Sequence, residues 1–109
     1  DRLSCVFYQR SADLGLGVPF NIASAALFVH IMAFLSGKKV GRLIHFLGDV
    51  HVYRNHVDAL KKQWQNPIYY FPVLEIQPRQ QKVVEDFQVK DFELKGYRGT
   101  ERVSMAMAV

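Results

Sequence analysis

Tyr8 to Asn21 reads YQRSADLGLGVPFN and gathers an arginine, a serine, an aspartate, two glycines, a proline and an asparagine. A guanidinium fork beside a hydroxyl, Arg10 and Ser11, suits the oxygens of a phosphate, which arginine grips bidentately. Asp13 accepts only, when ionised, and so suits N–H donors on a ligand. The competing reading pairs Arg10 with Asp13 as a surface ion bridge, and residue types alone leave both open. Gly15 and Gly17 make G-x-G, but Phe20 stands where a dinucleotide fingerprint needs its third glycine, and the run lacks a phosphate-loop lysine. The glycines then mark a strand-to-helix turn, where they permit backbone angles barred to other residues, with Pro19 stiffening the exit.

A second polar cluster is DVHVY. Asp49, His51 and Tyr53 alternate, so on an extended segment all three side chains share a side. Such a row can hydrogen-bond a sugar or a carboxylate, and a half-buried polar strand face is the rival reading. His45, His51 and His56 match no zinc pattern, since they lack neighbouring cysteines or a glutamate pair and His45 is expected to face another way; no metal is expected. His30, inside an apolar run, reads as a hydrogen-bonded core residue. Cys5 falls on an apolar strand face with Leu3 and Phe7, which suits a buried thiol rather than a nucleophile.

The elements that must position these groups follow from periodicity. Leu3 to Arg10 alternates as a strand, a loop runs from Ser11 to Pro19, and a helix spans about Phe20 to Ser36, stopped by Gly37. That helix is apolar all round, so it is expected to be central. Its apolar run, Ile22 to Leu35, is 14 residues and contains His30, short of the ~20 residues of a bilayer span. Arg42 to Phe46 reads as a strand, followed by a turn at Gly48 and a short extended piece through Tyr53. Asn55 is placed to cap a helix ending near Gln65, with Val57, Leu60, Lys61 and Trp64 at helical spacing and Asn66-Pro67 as its stop. FPVLEIQP is a strand bracketed by prolines, a further segment lies around Phe92 to Leu94, and the tail alternates Val103, Met105 and Met107 against smaller residues. Helices and strands mixed without regular βαβ alternation give an α+β class, with a large mixed sheet packed on a buried central helix.

Bulk properties narrow the function classes. With half of 109 residues hydrophobic and 22% charged, the chain can bury a core. A net charge of +4 fits a small anion such as a phosphate and also permits weak nucleic-acid binding. The basic residues Lys38, Lys39, Lys61, Lys62, Arg79, Lys82, Lys90, Lys95, Arg98 and Arg102 are dispersed and not interleaved with stacking aromatics, which argues against an RNA-binding module. A single cysteine excludes an internal disulfide and favours a reducing compartment. No signal peptide is recognisable at Asp1, and the strand pattern is already under way at Leu3, so the chain is expected to be the C-terminal portion of something longer.

YQRSADLGLGVPFNIAS, LIHFLGDVHVYRNHVDALK and the terminal MAMAV together resemble the C-terminal portion of thymidylate synthases, in order and with family-like spacing from Leu3 to Val109. The resemblance implies one partial domain over residues 1–109 and reductive methylation of dUMP to dTMP, with methylenetetrahydrofolate as co-substrate. It implies that Arg10 and Ser11 hold the dUMP phosphate, with Ala12 and Asp13 also in the nucleotide site, and that Gln9 supports the site near the nucleophile. Asn21 would read the uracil carbonyl and ring N–H, while His51 and Tyr53 would bond the deoxyribose hydroxyl. Asp13 would take the pterin N–H groups, Gly17 and Phe20 would line the folate pocket, and Ala108 and Val109 would close over the folate. Gln9, Asp13 and Asn21 are thereby the expected catalytic residues of this chain.

The family's nucleophile lies in a Pro-Cys-His motif upstream of the matched region, and Cys5 aligns with a structural position instead. These 109 residues by themselves are therefore expected to be inactive. The resemblance further implies a cytoplasmic homodimer joined through the sheet, with nucleus or mitochondrion as other locations and a fused dihydrofolate reductase domain as in bifunctional relatives. The alternatives are a dUMP or dCMP hydroxymethylase of the same fold and a noncatalytic RNA-binding fragment. A carboxylate at position 21 would suit cytosine, whereas Asn21 suits uracil.

Overall fold

The computed structural model describes residues 1–107. Strand β1 (Arg2–Asp13) leads through a short loop into helix α1 (Val18–Leu35), which returns to strand β2 (Lys39–His51). A single 3-10 turn (Arg54–His56) then feeds helix α2 (Val57–Trp64). Strand β3 (Val73–Ile76) follows, and two further 3-10 turns (Val84–Asp86 and Val89–Asp91) precede strand β4 (Phe92–Lys95). The α+β class expected from the sequence holds. Among the described residues its sheet comprises two separate pairs, β1 with β2 and β3 with β4.

β1 and β2 run parallel, in register from Arg2↔Lys39 to Asp13↔His51, with one irregularity between Leu3 and Cys5. A parallel pair needs a crossover, and α1 provides it, so the first half of the chain is one β-α-β unit. Alternation does the sorting: Leu3, Cys5, Phe7 and Gln9 are half-buried, while Ser4, Val6, Tyr8 and Arg10 are exposed. β2 matches, with Leu43, His45 and Leu47 half-buried and Ile44 and Phe46 exposed.

Three expected features fall differently. Gly48 makes no turn and lies inside an unbroken β2. A Cβ there would stand 2.8 Å from the Arg10 carbonyl oxygen, so glycine at this position lets β1 and β2 approach. With no turn to change the facing, His45 lies on the same side as Asp49 and His51 rather than on another. Asn55 does not cap α2, which grows out of the 3-10 turn through His56 without a side-chain cap.

α1 buries only Val18, Val29, Ile31 and Ala33, and Phe20 and Phe28 stay 70% and 52% exposed, so its full cover is confined to its first residue and its C-terminal half. His30 is half-buried, and no hydrogen bond holds it among the described residues, because it borders an open pocket with Lys38, Leu74 and Ile76. The second pair is antiparallel, Val73↔Lys95 to Ile76↔Phe92. It meets the end of α1 through aromatic rings, Phe34 against Phe87 at 5.6 Å and Phe87 against Phe92 at 5.7 Å. The tail 101–107 is irregular, not a strand.

Candidate functional site

Parallel strands finish on the same edge. The register sets Ser11 beside Asp49 and Asp13 beside His51, so both polar runs found in the sequence meet at the C-terminal ends of β1 and β2. This edge is where open α/β units bind ligands, because the loops leaving the strands diverge there.

Asp13 shapes the loop that follows. Its Oδ1 accepts the Gly15 N–H at 3.0 Å and its carbonyl accepts the Gly17 N–H at 3.0 Å, while the Gly17 carbonyl accepts the Asn21 N–H at 2.9 Å to start α1. Neither glycine has the positive φ that the sequence suggested; among the described residues Gly37, Gly96 and Gln80 adopt it. What both supply is room. A Cβ on Gly17 would lie 3.0 Å from the Asp13 carbonyl oxygen, and one on Gly15 would lie 2.7 Å from His56 Nδ1. Pro19 occupies the first turn of α1, where a missing N–H costs nothing.

Asn21 is held in place from β1. Gln9 Nε2 donates to Asn21 Oδ1 at 3.0 Å and to the Ser11 carbonyl at 2.9 Å. Gln9 Oε1 faces His45 Nε2 at 3.0 Å, and an amide oxygen can only accept, so His45 donates. The His45 ring is itself stacked on Phe7, with centroids 4.6 Å apart. The chain Phe7–His45–Gln9–Asn21 therefore fixes one carboxamide in orientation. Its Nδ2 protons and a second Oδ1 lone pair stay available at a cavity of about 390 Å³ lined also by Cys5, Phe7, Ser24 and Phe28.

The DVHVY row is geometrically real. Asp49 Oδ1 lies 4.0 Å from His51 Nδ1, and the His51 and Tyr53 rings meet edge to face at 5.4 Å. The Leu14 N–H donates to the His51 carbonyl at 3.0 Å, tying β2 to the Asp13 loop. Tyr53 in turn meets His56 edge-on at 5.5 Å.

Several expected site residues thus come together: Gln9, Ser11, Asp13, Gly17, Asn21, His51 and Tyr53. Phe20 sits exposed on the first turn of α1. Ala12 is fully buried, backbone included, and presents no surface of its own to a ligand. Arg10 stands apart from this network. It is exposed and, among the described residues, makes no ion pair, so the surface bridge to Asp13 is absent and the guanidinium is free for an anion. Ala108 and Val109 lie outside the described residues. Two histidines join the site that the sequence had set aside, His45 through Gln9 and His56 through Asp13, whose Oδ1 is 3.7 Å from His56 Nδ1. For His45 the signal was its even spacing from His51 on one strand.

Comparison with known proteins assigns the whole chain to one family. The family model described as thymidylate synthase matches residues 1–109. The chain is 51% identical over 107 residues to the bifunctional dihydrofolate reductase-thymidylate synthase 2 of Arabidopsis thaliana, covering 98% of this chain and 19% of that protein. It is 49% identical to the thymidylate synthase of Homo sapiens, covering 98% of this chain and 34% of that one. The thymidylate synthase of Saccharomyces cerevisiae is also 49% identical, over 99% of this chain and 35% of its own length. The chain spans between about a fifth and a third of these relatives. It belongs to the thymidylate synthase family.

Proposed function

We propose, from membership of the thymidylate synthase family, that this chain supplies the nucleotide- and folate-binding part of an enzyme that methylates dUMP to dTMP. The observation that carries the reading is the Gln9–Asn21 pair at the C-terminal edge of two parallel strands, with Asp13 and His51 in register beside it. A carboxamide held by one neighbour keeps a donor and an acceptor for a ring edge that offers the complementary pair, as uracil does.

The remaining roles are those the family resemblance implies, and the chemistry of each group suits them. Arg10, exposed and free of an ion pair among the described residues, with Ser11 beside it, binds the phosphate; Ala12, wholly buried, supports the strand end that carries them. His51 and Tyr53 bond the deoxyribose hydroxyl. Asp13 spends Oδ1 on Gly15 and offers Oδ2 to pterin N–H groups, between Gly17 and Phe20. Ala108 and Val109 close over the folate. Methylenetetrahydrofolate, when bound, supplies the one-carbon unit and the reducing equivalents. The thiolate, by the family resemblance, comes from outside these residues; Cys5 sits in mid-strand and, among the described residues, its Sγ has a hydrogen bond only to the Val6 carbonyl, at 3.7 Å. Residues 1–109 by themselves then catalyse nothing.

The face of β1 and β2 opposite α1 exposes Val6, Tyr8, Ile44 and Phe46 at 64, 69, 42 and 53%, which supports a homodimer joined through the sheet. Relatives named as bifunctional support a fused dihydrofolate reductase domain. The single cysteine supports a reducing, cytoplasmic location.

Titration calorimetry on the synthase containing this chain tests the phosphate role. Arg10→Ala is expected to weaken dUMP about 30-fold or more, the worth of a charge-assisted bond pair, and to leave deoxyuridine binding unaltered. Equal losses for both ligands would remove the assignment.

A further inference from the structure

His56 has no role in the reading above, yet it is wholly buried, and its neighbours link two distant parts of the chain. Its Nε2 lies 2.5 Å from the Ala106 carbonyl oxygen, 50 residues away. A carbonyl only accepts, so Nε2 carries the proton. Among the described residues this is the one hydrogen bond that reaches 101–107. On the other side of the ring, Nδ1 has no hydrogen-bond partner and faces Asp13 Oδ1 at 3.7 Å, beyond hydrogen-bond range. Gly15 closes the joint: a Cβ there would fall 2.7 Å from His56 Nδ1 and 3.0 Å from Met105 Sδ.

An imidazole is costly to bury half-satisfied, and an apolar residue would fill the same space without that cost. The arrangement is explained if Nε2 must hold the tail while the other edge of the ring packs against the loop at Gly15. We propose that His56 is a positioning residue that anchors the C-terminal segment at Ala106 and sets the Asp13 loop against it, so that tail docking and the pterin-facing carboxylate are coupled. The functional half of this rests on the reading of Asp13 as the pterin acceptor; the joint itself rests on geometry.

Three substitutions separate the parts. His56→Gln places an amide donor near Nε2 and keeps the Ala106 bond, His56→Asn places its amide too short to reach, and Gly15→Ala displaces the ring. In the synthase containing this chain, His56→Asn and Gly15→Ala are expected to raise the folate KM about tenfold, the worth of one hydrogen bond. Both should leave the dUMP Kd within twofold and speed proteolysis of the C-terminal segment, while His56→Gln recovers most of the loss. Identical behaviour of the Gln and Asn variants, or dUMP Kd and folate KM moving in step, would overturn the proposal. Should a variant not fold, nitrogen spectra of the unaltered protein decide the joint: a proton on His56 Nε2 is expected, and a bare Nε2 excludes the bond to Ala106. Failure of the unaltered protein to bind dUMP would defeat the proposed function and leave the spectroscopic test of the joint standing.

Discussion

Among the described residues, His56 and Asp91 are the two largest fully buried side chains, and both are polar, yet they are treated oppositely. Asp91 has every oxygen engaged: Arg79 Nε on Oδ1 at 2.5 Å, Arg79 Nη2 on Oδ2 at 2.6 Å, and the Gln88 N–H on Oδ2 at 2.8 Å. Its carbonyl accepts the Gln77 N–H at 2.7 Å, which docks the turn onto the end of β3. Around it, Gln81 accepts from the Arg79 N–H and donates to the Gln77 carbonyl. His56 keeps one nitrogen without a hydrogen bond, beside an Asp13 that has an oxygen to spare. A polar knot that satisfies itself holds a fold together; one left partly open is shaped for something else.

That contrast predicts separable losses. Asp91→Ala strands a guanidinium and undoes the turn before β4, so the melting temperature should fall most of all, on the order of 10 °C. The dUMP affinity of the folded fraction should stay within twofold, and calorimetry on the same sample checks both. The node also carries an acid signature. The Arg79 guanidinium holds the Asp91 carboxyl well below its ordinary value of 3.8, with the Gln88 N–H adding to the effect. A carboxyl depressed in the folded state stabilises fully above the unfolded value and loses that contribution as pH falls through the folded one. Urea midpoints should therefore decline below about pH 4 in the unaltered protein, and this decline should flatten in Asp91→Asn.

At the open end of the comparison, Gln9→Leu removes the brace on Asn21 while leaving the strand intact. We expect dUMP affinity to drop about tenfold, since one oriented carboxamide is set loose, with a melting temperature within 2–3 degrees or so of the parent. A large melting shift with unaltered affinity would place Gln9 with Asp91 among structural groups.

Much of the open site was legible from residue types, and little of the closed node was. Arg10, Ser11, Asp13 and Asn21 stand out as one polar run, although residue types alone leave an Arg10–Asp13 ion bridge open. Strand alternation placed Leu3, Cys5 and Phe7 on one face, and prolines bracketed β3. Arg79 read as one more dispersed cation, because nothing local ties it to a carboxylate twelve residues on. The glycines misled for a shared reason: Gly15, Gly17 and Gly48 are needed for space against His56, Asp13 and Arg10, and a sequence displays backbone freedom but not crowding. Asn55 had the right type for a cap, yet the 3-10 turn placed His56 at the helix start instead.

The sharpest test lies in position 21, where the open site meets its proposed ligand. Asn21→Asp, in the synthase containing this chain, exchanges a donor–acceptor amide for two acceptors, which suits the amino group of cytosine and repels the uracil carbonyl. Competition binding of dUMP against dCMP should show the preference moving from dUMP toward dCMP. Unchanged dUMP/dCMP selectivity would contradict the assignment of Asn21, and with it the site built around the Gln9–Asn21 pair.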